Sequence, residues 1–374
     1  MKQIISLLFV LWTAVSCTQP KKQTDNTLVS VDKIQYSQGY TIERYSDYIV
    51  AELRDPWDTT RILQRYLLVD RNKDVPGGMP KGTIVRIPLK NIVVYNSVHS
   101  SIVELLDAAE NIVGACESRY MDTPIIRERL DKGVIADLGE ATAPNIEKMV
   151  EIGSEVILAS PFRNSGYGPA EKLGIPILEC ADYMESTPLG RAEWLRLYGL
   201  LLGREDLADS LFRATESNYL TLSKLAEGVQ HRPTVFSEKR FGSTWHIPGG
   251  ASYMAHFFKD AGADYMFTDL PGAGSTPLAF ETVLDKAIHA DIWLIKYNQP
   301  DDMTYAGLRA EYTPYENFDA FKKKNIYACN TGSVPYYEEF PMHPDYLLKD
   351  LVWIFHPELL PDYTPRYYKK LGGS

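Results

Sequence analysis

Short apolar runs at regular spacing divide this chain. Over residues 29–92 they read as strands: Tyr48-Ile49-Val50, Tyr66-Leu67-Leu68-Val69 and Thr83-Ile84-Val85-Arg86-Ile87-Pro88. Pro76-Gly77-Gly78 supplies turn chemistry between the last two, and the segment reads as a small antiparallel lead-in. From Asn91 the period changes. Ile92-Val93-Val94-Tyr95 is a strand, and 100–109 a helix with Ile102, Leu105 and Leu106 on one face. Strands at Ile112-Val113-Gly114, Val156-Ile157-Leu158 and Ile175-Pro176-Ile177-Leu178 follow, with helices over 145–151 and closing over 170–173. Strands that alternate with helices predict βαβ units and a mostly parallel sheet.

The alternation then stops. A helix over 189–202 is capped by Gly203, and a second runs over about 206–227 to Gly228 with an apolar stripe of Leu207, Leu211, Ala214, Leu222 and Leu225. Its roughly 22 residues span about 33 Å, the diameter of a small domain. After it the α/β pattern restarts: a strand at Thr234-Val235-Phe236-Ser237, a helix over 252–261, a helix over 281–289 leading into Asp291-Ile292-Trp293-Leu294-Ile295, a strand at Asn325-Ile326-Tyr327-Ala328, and a helix over 344–355 with Pro at its first turn and Pro357 beyond its end. The halves echo each other: Leu105-Leu106-Asp107-Ala108-Ala109-Glu110 and Phe257-Phe258-Lys259-Asp260-Ala261-Gly262 each precede a strand. The pattern therefore predicts two similar α/β lobes joined by one long helix, and the cleft such a pair leaves is a favoured ligand site.

The 374 residues carry 39 Lys and Arg against 49 Asp and Glu, a net charge of -10 with no basic run, which excludes a nucleic-acid partner. At the N-terminus, Lys2 precedes an apolar run over 4–15, too short to span a bilayer, and Ala14-Val15-Ser16 stands before Cys17. This resembles the signal and lipobox of bacterial lipoproteins, with residues 1–16 removed, Cys17 carrying the lipid and 17–28 a polar tether. Lys21 and Lys22 with no acidic run place the anchored protein on the periplasmic side. Cys116, Cys180 and Cys329 end apolar runs and read as small buried hydrophobes.

Catalytic motifs are missing: there is no H-E-x-x-H, paired C-x-x-C, Walker loop or G-x-S-x-G. Gly249 and Gly250 stand before a helix, where their N–H groups are available to an anion or a carbonyl, or simply form a loop and cap. His343 and His356 flank a helix as structural residues. His99 and His246 follow matching strands of the two halves, where open sheets place ligand residues. Phe162, Tyr167, Phe241, Trp245, Tyr253, Tyr297, Tyr336 and Tyr337 gather in the same loops, half of them expected in the core and half as aromatic walls for a large flat ligand.

Over nearly all of 29–371 the chain resembles the class III substrate-binding proteins of bacterial ABC importers for ferric siderophores, haem and vitamin B12. The marks are Leu138-Gly139-Glu140 with Asn145-Ile146-Glu147-Lys148, Leu173-Gly174-Ile175-Pro176, Thr187-Pro188-Leu189-Gly190-Arg191-Ala192-Glu193-Trp194, Trp245-His246-Ile247-Pro248-Gly249-Gly250, Pro277-Leu278-Ala279-Phe280-Glu281 and Leu348-Lys349-Asp350 through His356-Pro357-Glu358-Leu359. Gly153-Ser154-Glu155 departs from the family's usual Lys-Pro-Asp. The resemblance implies an α/β fold of two Rossmann-like lobes: 29–203 with the β lead-in, a bridging helix over 204–228, and 229–374. It implies a monomeric binding protein without a cofactor that hands a metal chelate to an ABC permease, with little hinge motion. Ser97, His99 and Tyr167 from the first lobe and Arg240, Trp245, His246 and Tyr253 from the second are the expected ligand contacts. His99, His246 or Tyr253 would ligate iron only if the cargo is haem. Glu171 and Glu281 are the expected permease contacts. A ferric siderophore is the first cargo, a corrinoid or haem the alternatives. Two other classes compete: a secreted α/β hydrolase or transferase using Glu140, Asp182 and Glu185 as acid/base carboxylates, and a lipoprotein that only scaffolds envelope partners.

Overall fold

The leading segment builds a sheet of its own. In the computed structural model, which describes residues 26–372, strands β1 (Leu28–Val31), β2 (Tyr40–Tyr45), β3 (Ile49–Arg54), β4 (Ile62–Asp70) and β5 (Thr83–Ile87) lie side by side in that order. The first three pairings are antiparallel; β4 and β5 are parallel, because residues 71–82 return the chain along the sheet before β5 begins. The leader, Cys17 and most of the tether lie outside the described residues.

The first lobe follows as a wholly parallel sheet in the order β10-β9-β6-β7-β8, from β6 (Ile92–Val94), β7 (Ile112–Ala115), β8 (Ala136–Asp137), β9 (Val156–Ala159) and β10 (Ile177–Glu179). It is covered on both faces, so its central strands are apolar throughout rather than alternating. Helices α1 (Ser97–Leu105), α2 (Pro124–Asp131) and α3 (Ile146–Glu151) pack around it. The helix expected over 100–109 starts earlier, because the Asn96 side chain accepts from the His99 N–H and caps it, and it ends where Asp107 turns to φ 50. Ser97 and His99 therefore sit in a helical first turn, not in a loop.

Helices α4 (Pro188–Leu202) and α5 (Glu205–Glu227) pack on each other in an antiparallel pair, turned by Gly203 at φ 66. The buried seam of α5 is Ala208, Phe212, Thr215, Tyr219 and Ala226. The apolar stripe read from the sequence was therefore one residue out of phase: Leu207, Leu211 and Leu222 flank the seam, and Ala214 and Leu225 are exposed. The cause is a close crossing. A Cβ on Gly199 would stand 2.4 Å from that of Ala208, so at the start of α5 an alanine, not Leu207, faces the partner helix.

Beyond α5 come β11 (Thr234–Ser237), β12 (Arg240–Phe241), β13 (Thr244–Pro248), α6 (Tyr253–Asp260), β14 (Asp264–Tyr265), β15 (Ser275–Leu278), α7 (Phe280–Ala287), β16 (Ile292–Tyr297), α8 (Tyr305–Glu311), α9 (Asp319–Lys322), β17 (Ile326–Asn330), α10 (Tyr336–Glu339), α11 (Pro344–Phe355) and β18 (Lys369–Lys370). The main sheet has the order β14-β11-β16-β17-β18, parallel until the antiparallel β18, and β12-β13-β15 form a small antiparallel sheet beside it.

Two buried carboxylates of the 185–193 segment hold the lead-in to the first lobe. Glu193 accepts the backbone N–H groups of Gln35, Tyr36 and Ser37 at 2.9, 2.7 and 2.8 Å. Glu185 accepts those of Gln38 and Gly39 at 3.1 and 2.9 Å, the Ser37 hydroxyl and the Trp194 indole. Glu185, an acid/base candidate from the sequence, is thus fully engaged in holding a loop, and Glu140 pairs on the surface with Arg119.

Candidate functional site

In open α/β sheets, ligands bind beyond the carboxyl ends of the strands. In the first lobe those ends carry a polar network. Asn96, after β6, donates from Nδ2 to Ser160 Oγ at 3.3 Å, after β9. His99 is 1% exposed; its Nδ1 lies 3.1 Å from the Leu158 carbonyl and its Nε2 3.4 Å from Ser160 Oγ. The carbonyl only accepts, so Nδ1 carries the proton. Burial pushes the His99 pKa down to about 4, so the ring is neutral at pH 7.

Asp182, after β10, is also buried. It accepts from Arg191 Nε and from the Tyr198 hydroxyl, both at 3.1 Å. Arg191 stands in the first turn of α4 and reaches the second lobe: its guanidinium carbon lies 5.8 Å from the Tyr253 ring centroid and 5.5 Å from that of Phe340. The Tyr253 hydroxyl is buried with no hydrogen-bond partner, and burial raises its pKa. On the second-lobe side, Lys296 at the end of β16 pairs with Glu238 after β11 at 2.5 Å. Burial opposes the Lys296 charge, but the Glu238 carboxylate outweighs it and holds the amine protonated.

A second contact joins the lobes. Ser101 Oγ donates to the Glu338 carbonyl at 2.9 Å, and the Ser97 side chain bonds the Glu338 carboxylate. Beside it opens an interlobe groove of about 610 Å³, with Glu104 and Asp122 on one wall and Glu338, His343 and Arg366 on the other.

The structure brings Ser97, His99 and Tyr253 to the junction of the lobes and places the other expected contacts elsewhere. Trp245 is corrected: it is fully buried, its indole N–H donates to the Ser237 carbonyl at 3.1 Å, and its ring packs among Phe236, Trp293, Tyr315 and Phe318. The alternation of β13 turns Trp245 inward and leaves His246 exposed on the other face. Arg240, half-buried, lies 3.8 Å over the Tyr312 ring. Tyr167 packs against Tyr95 and donates to Glu179 at 3.2 Å. Gly249 and Gly250 donate to the Gly274 and Leu270 carbonyls, both at 2.9 Å, so the loop alternative holds and these N–H groups are spent within the loop. Glu171 and Glu281 are both exposed, and Glu171 accepts the Tyr167 N–H. Of the aromatic residues, Phe162, Phe241 and Tyr337 stay exposed, while Tyr336 is core.

Sequence reasoning missed Arg191 and Lys296 as partly buried, ion-paired cations. Arg191 left one readable sign, a charge in the first turn of a helix whose other residues are almost all buried.

Residues 92–331 match the family model of the periplasmic binding proteins. An uncharacterized lipoprotein of Methanocaldococcus jannaschii is 26% identical over 324 residues, which cover 82% of this chain and 76% of the relative. Among solved structures, an ABC-type Fe3+-hydroxamate transport system protein from Saccharomonospora viridis superposes with a TM-score of 0.56 at 17% identity, covering 72% of this chain and 94% of that one. S. aureus IsdE complexed with heme superposes with a TM-score of 0.54 at 18% identity, covering 71% and 99%.

Proposed function

This chain belongs to the periplasmic binding protein family, and we propose that it captures an iron chelate between its lobes and delivers it to an ABC permease while anchored through a lipid on Cys17. Members of the family bind a solute without transforming it, in keeping with the structural use of Glu140, Asp182 and Glu185. The observation that carries the reading is the family match over both lobes, together with the cluster of Asp182, Arg191 and Tyr253 at their junction. A ferric siderophore is the first cargo. Haem ranks lower because both nitrogens of His99 are already engaged within the first lobe. Exposed Phe162 and Tyr337 offer aromatic surface to a chelator or a corrinoid. Glu171 and Glu281 are the proposed permease contacts.

The test is a fluorescence titration of the purified protein with hydroxamate and catecholate ferric siderophores, cyanocobalamin and haemin, with inner-filter controls. One-to-one saturation by one class at sub-micromolar concentration is expected. No saturation across the panel removes the metal-chelate reading and leaves the family assignment standing.

A further inference from the structure

We propose that the lead-in sheet carries a second interaction surface, a basic face that rests on an anionic lipid bilayer and leaves the cargo cleft turned toward solvent. The inference rests on the lipid anchor proposed above at Cys17 and goes beyond the capture of cargo.

Charge divides unevenly along the chain. Residues 71–90 hold five Lys and Arg against one Asp, whereas residues 91–374 hold 26 Lys and Arg against 40 Asp and Glu. The basic segment stands before residue 92, outside the region matched to the family model. The fold gathers it on one side. The crossover over 71–82 lies on the outer face of the lead-in sheet, where Met79 packs against the cluster of Tyr48, Val50, Leu67 and Val69. Arg86 donates to the Lys73 carbonyl at 2.6 Å and fixes the start of that crossover to β5. Lys73, Lys81 and Lys90 are exposed and form no ion pair among the described residues. Val75 and Ile84 stand exposed among them. Beside β5 a groove of about 290 Å³ opens toward the amino ends of β9 and β10, lined in part by Arg71, Arg86 and Lys90. Its one acid among the described residues, Glu155, is already paired with Arg71 at 2.8 Å.

The anchor identifies the occupant. The Asn26 side chain donates to the Gly78 carbonyl at 2.9 Å, so the tether joins the fold at the middle of the basic crossover. Eight residues, 18–25, separate Asn26 from Cys17, and fully extended they reach about 30 Å. The tether therefore holds this face close to the bilayer. Anionic headgroups attract cations that come within a Debye length, about 10 Å, of the surface, and the same field repels the acidic lobes. Val75 and Ile84 add apolar contact at the headgroup level. The groove lies at the amino ends of first-lobe strands, whereas the cleft lies beyond their carboxyl ends. Contact through this face thus leaves the cleft open to cargo.

The test uses the chain from residue 17 with Cys17→Ser, so that no lipid contributes. It reads co-sedimentation with vesicles of phosphatidylcholine alone or with about 30% phosphatidylglycerol. Binding to the anionic vesicles only is expected, and about 0.5 M salt should abolish it. Lys73→Glu with Lys81→Glu should weaken partition by at least about 10-fold and leave cargo affinity as in the wild type. Lys224→Glu with Lys259→Glu makes the same change in net charge at exposed positions on the second-lobe side, and should weaken partition by less than about 2-fold. Three results overturn the inference: no binding to anionic vesicles, equal binding to zwitterionic ones, or equal losses in the two double variants. Each leaves the anchor and capture readings standing. Failure of the anchor reading shows instead as an unmodified Cys17 in the mass of the mature protein, and failure of the metal-chelate reading as a titration without saturation.

Discussion

His99 shows how burial decides what a histidine is for. Its folded-state pKa of about 4 lies below the ordinary value of 6.5. Between these values the unfolded chain takes up a proton that the folded chain refuses, so stability falls as pH drops from 6.5 toward 4. The loss from this one ring is bounded at about 3 kcal/mol. His99→Gln, which keeps a donor for the Leu158 carbonyl, should show a flatter decline than wild type in urea denaturation at pH 7.5 and pH 4.5. Parallel declines would mean the ring is protonated in the folded protein. Trp245 makes the complementary point: position in a loop-rich segment suggested a ligand wall, but the indole is core. Trp245→Ala should cost about 3–5 kcal/mol of stability, read by chemical denaturation, and a loss of cargo affinity without a loss of stability would return it to the site.

At the scale of elements, the α4–α5 pair depends on Gly199 as a contact surface. Gly199→Ala puts its methyl 2.4 Å from Ala208 Cβ and 3.1 Å from the Arg204 carbonyl, and neither neighbour is a flexible side-chain end. The helices must separate, at an expected cost of about 1–3 kcal/mol, although alanine is the better helix former. A stabilised variant would show that the crossing is looser than this. The same pair marks what a single sequence discloses. The ends of α4 and α11 were legible because Gly203 and Pro344 announce them. Strands β8, β12, β14 and β18 were not, because two residues carry no period. The phase of α5 was misread because its leucines flank the seam of Ala208, Phe212, Thr215, Tyr219 and Ala226, and the close crossing at Gly199 admits only an alanine where the seam begins. The site was legible only where strand ends predict it. Strand ends drew attention to His99, which the fold buries within the first lobe, and to Tyr253, whereas Arg191 and Lys296 look like any surface cation until their ion partners, distant in sequence or hidden by the fold, are in place.

Across the whole molecule, α5 ties the lobes into one frame. Ala208, Leu207 and Leu211 pack in the first-lobe core, while Tyr219, Leu222 and Ala226 pack in the second. Its C-terminal half is also fixed by polar contacts: Asn218 donates to Asp345 at 3.0 Å and the Tyr219 hydroxyl to Asp260 at 2.6 Å. The Asp182–Arg191 pair belongs to one lobe and Tyr253 with Phe340 to the other, so their contact across the junction holds only while this frame is straight. Ala214 lies mid-helix and exposed, touching none of these contacts. Proline there removes one backbone hydrogen bond and drives its ring into the preceding turn, costing about 3 kcal/mol or more. Ala214→Pro is therefore expected to lower the denaturation midpoint and, in the fraction that stays folded, to weaken cargo binding by displacing one lobe's groups from the other's. Arg213→Ala, one residue away, breaks only an exposed pair with Asp209 and should change stability by less than about 1 kcal/mol. A proline variant that matched this control in both measurements would mean that the lobes are held together by their direct contacts at Ser101 and Glu338, and that the helix merely connects them.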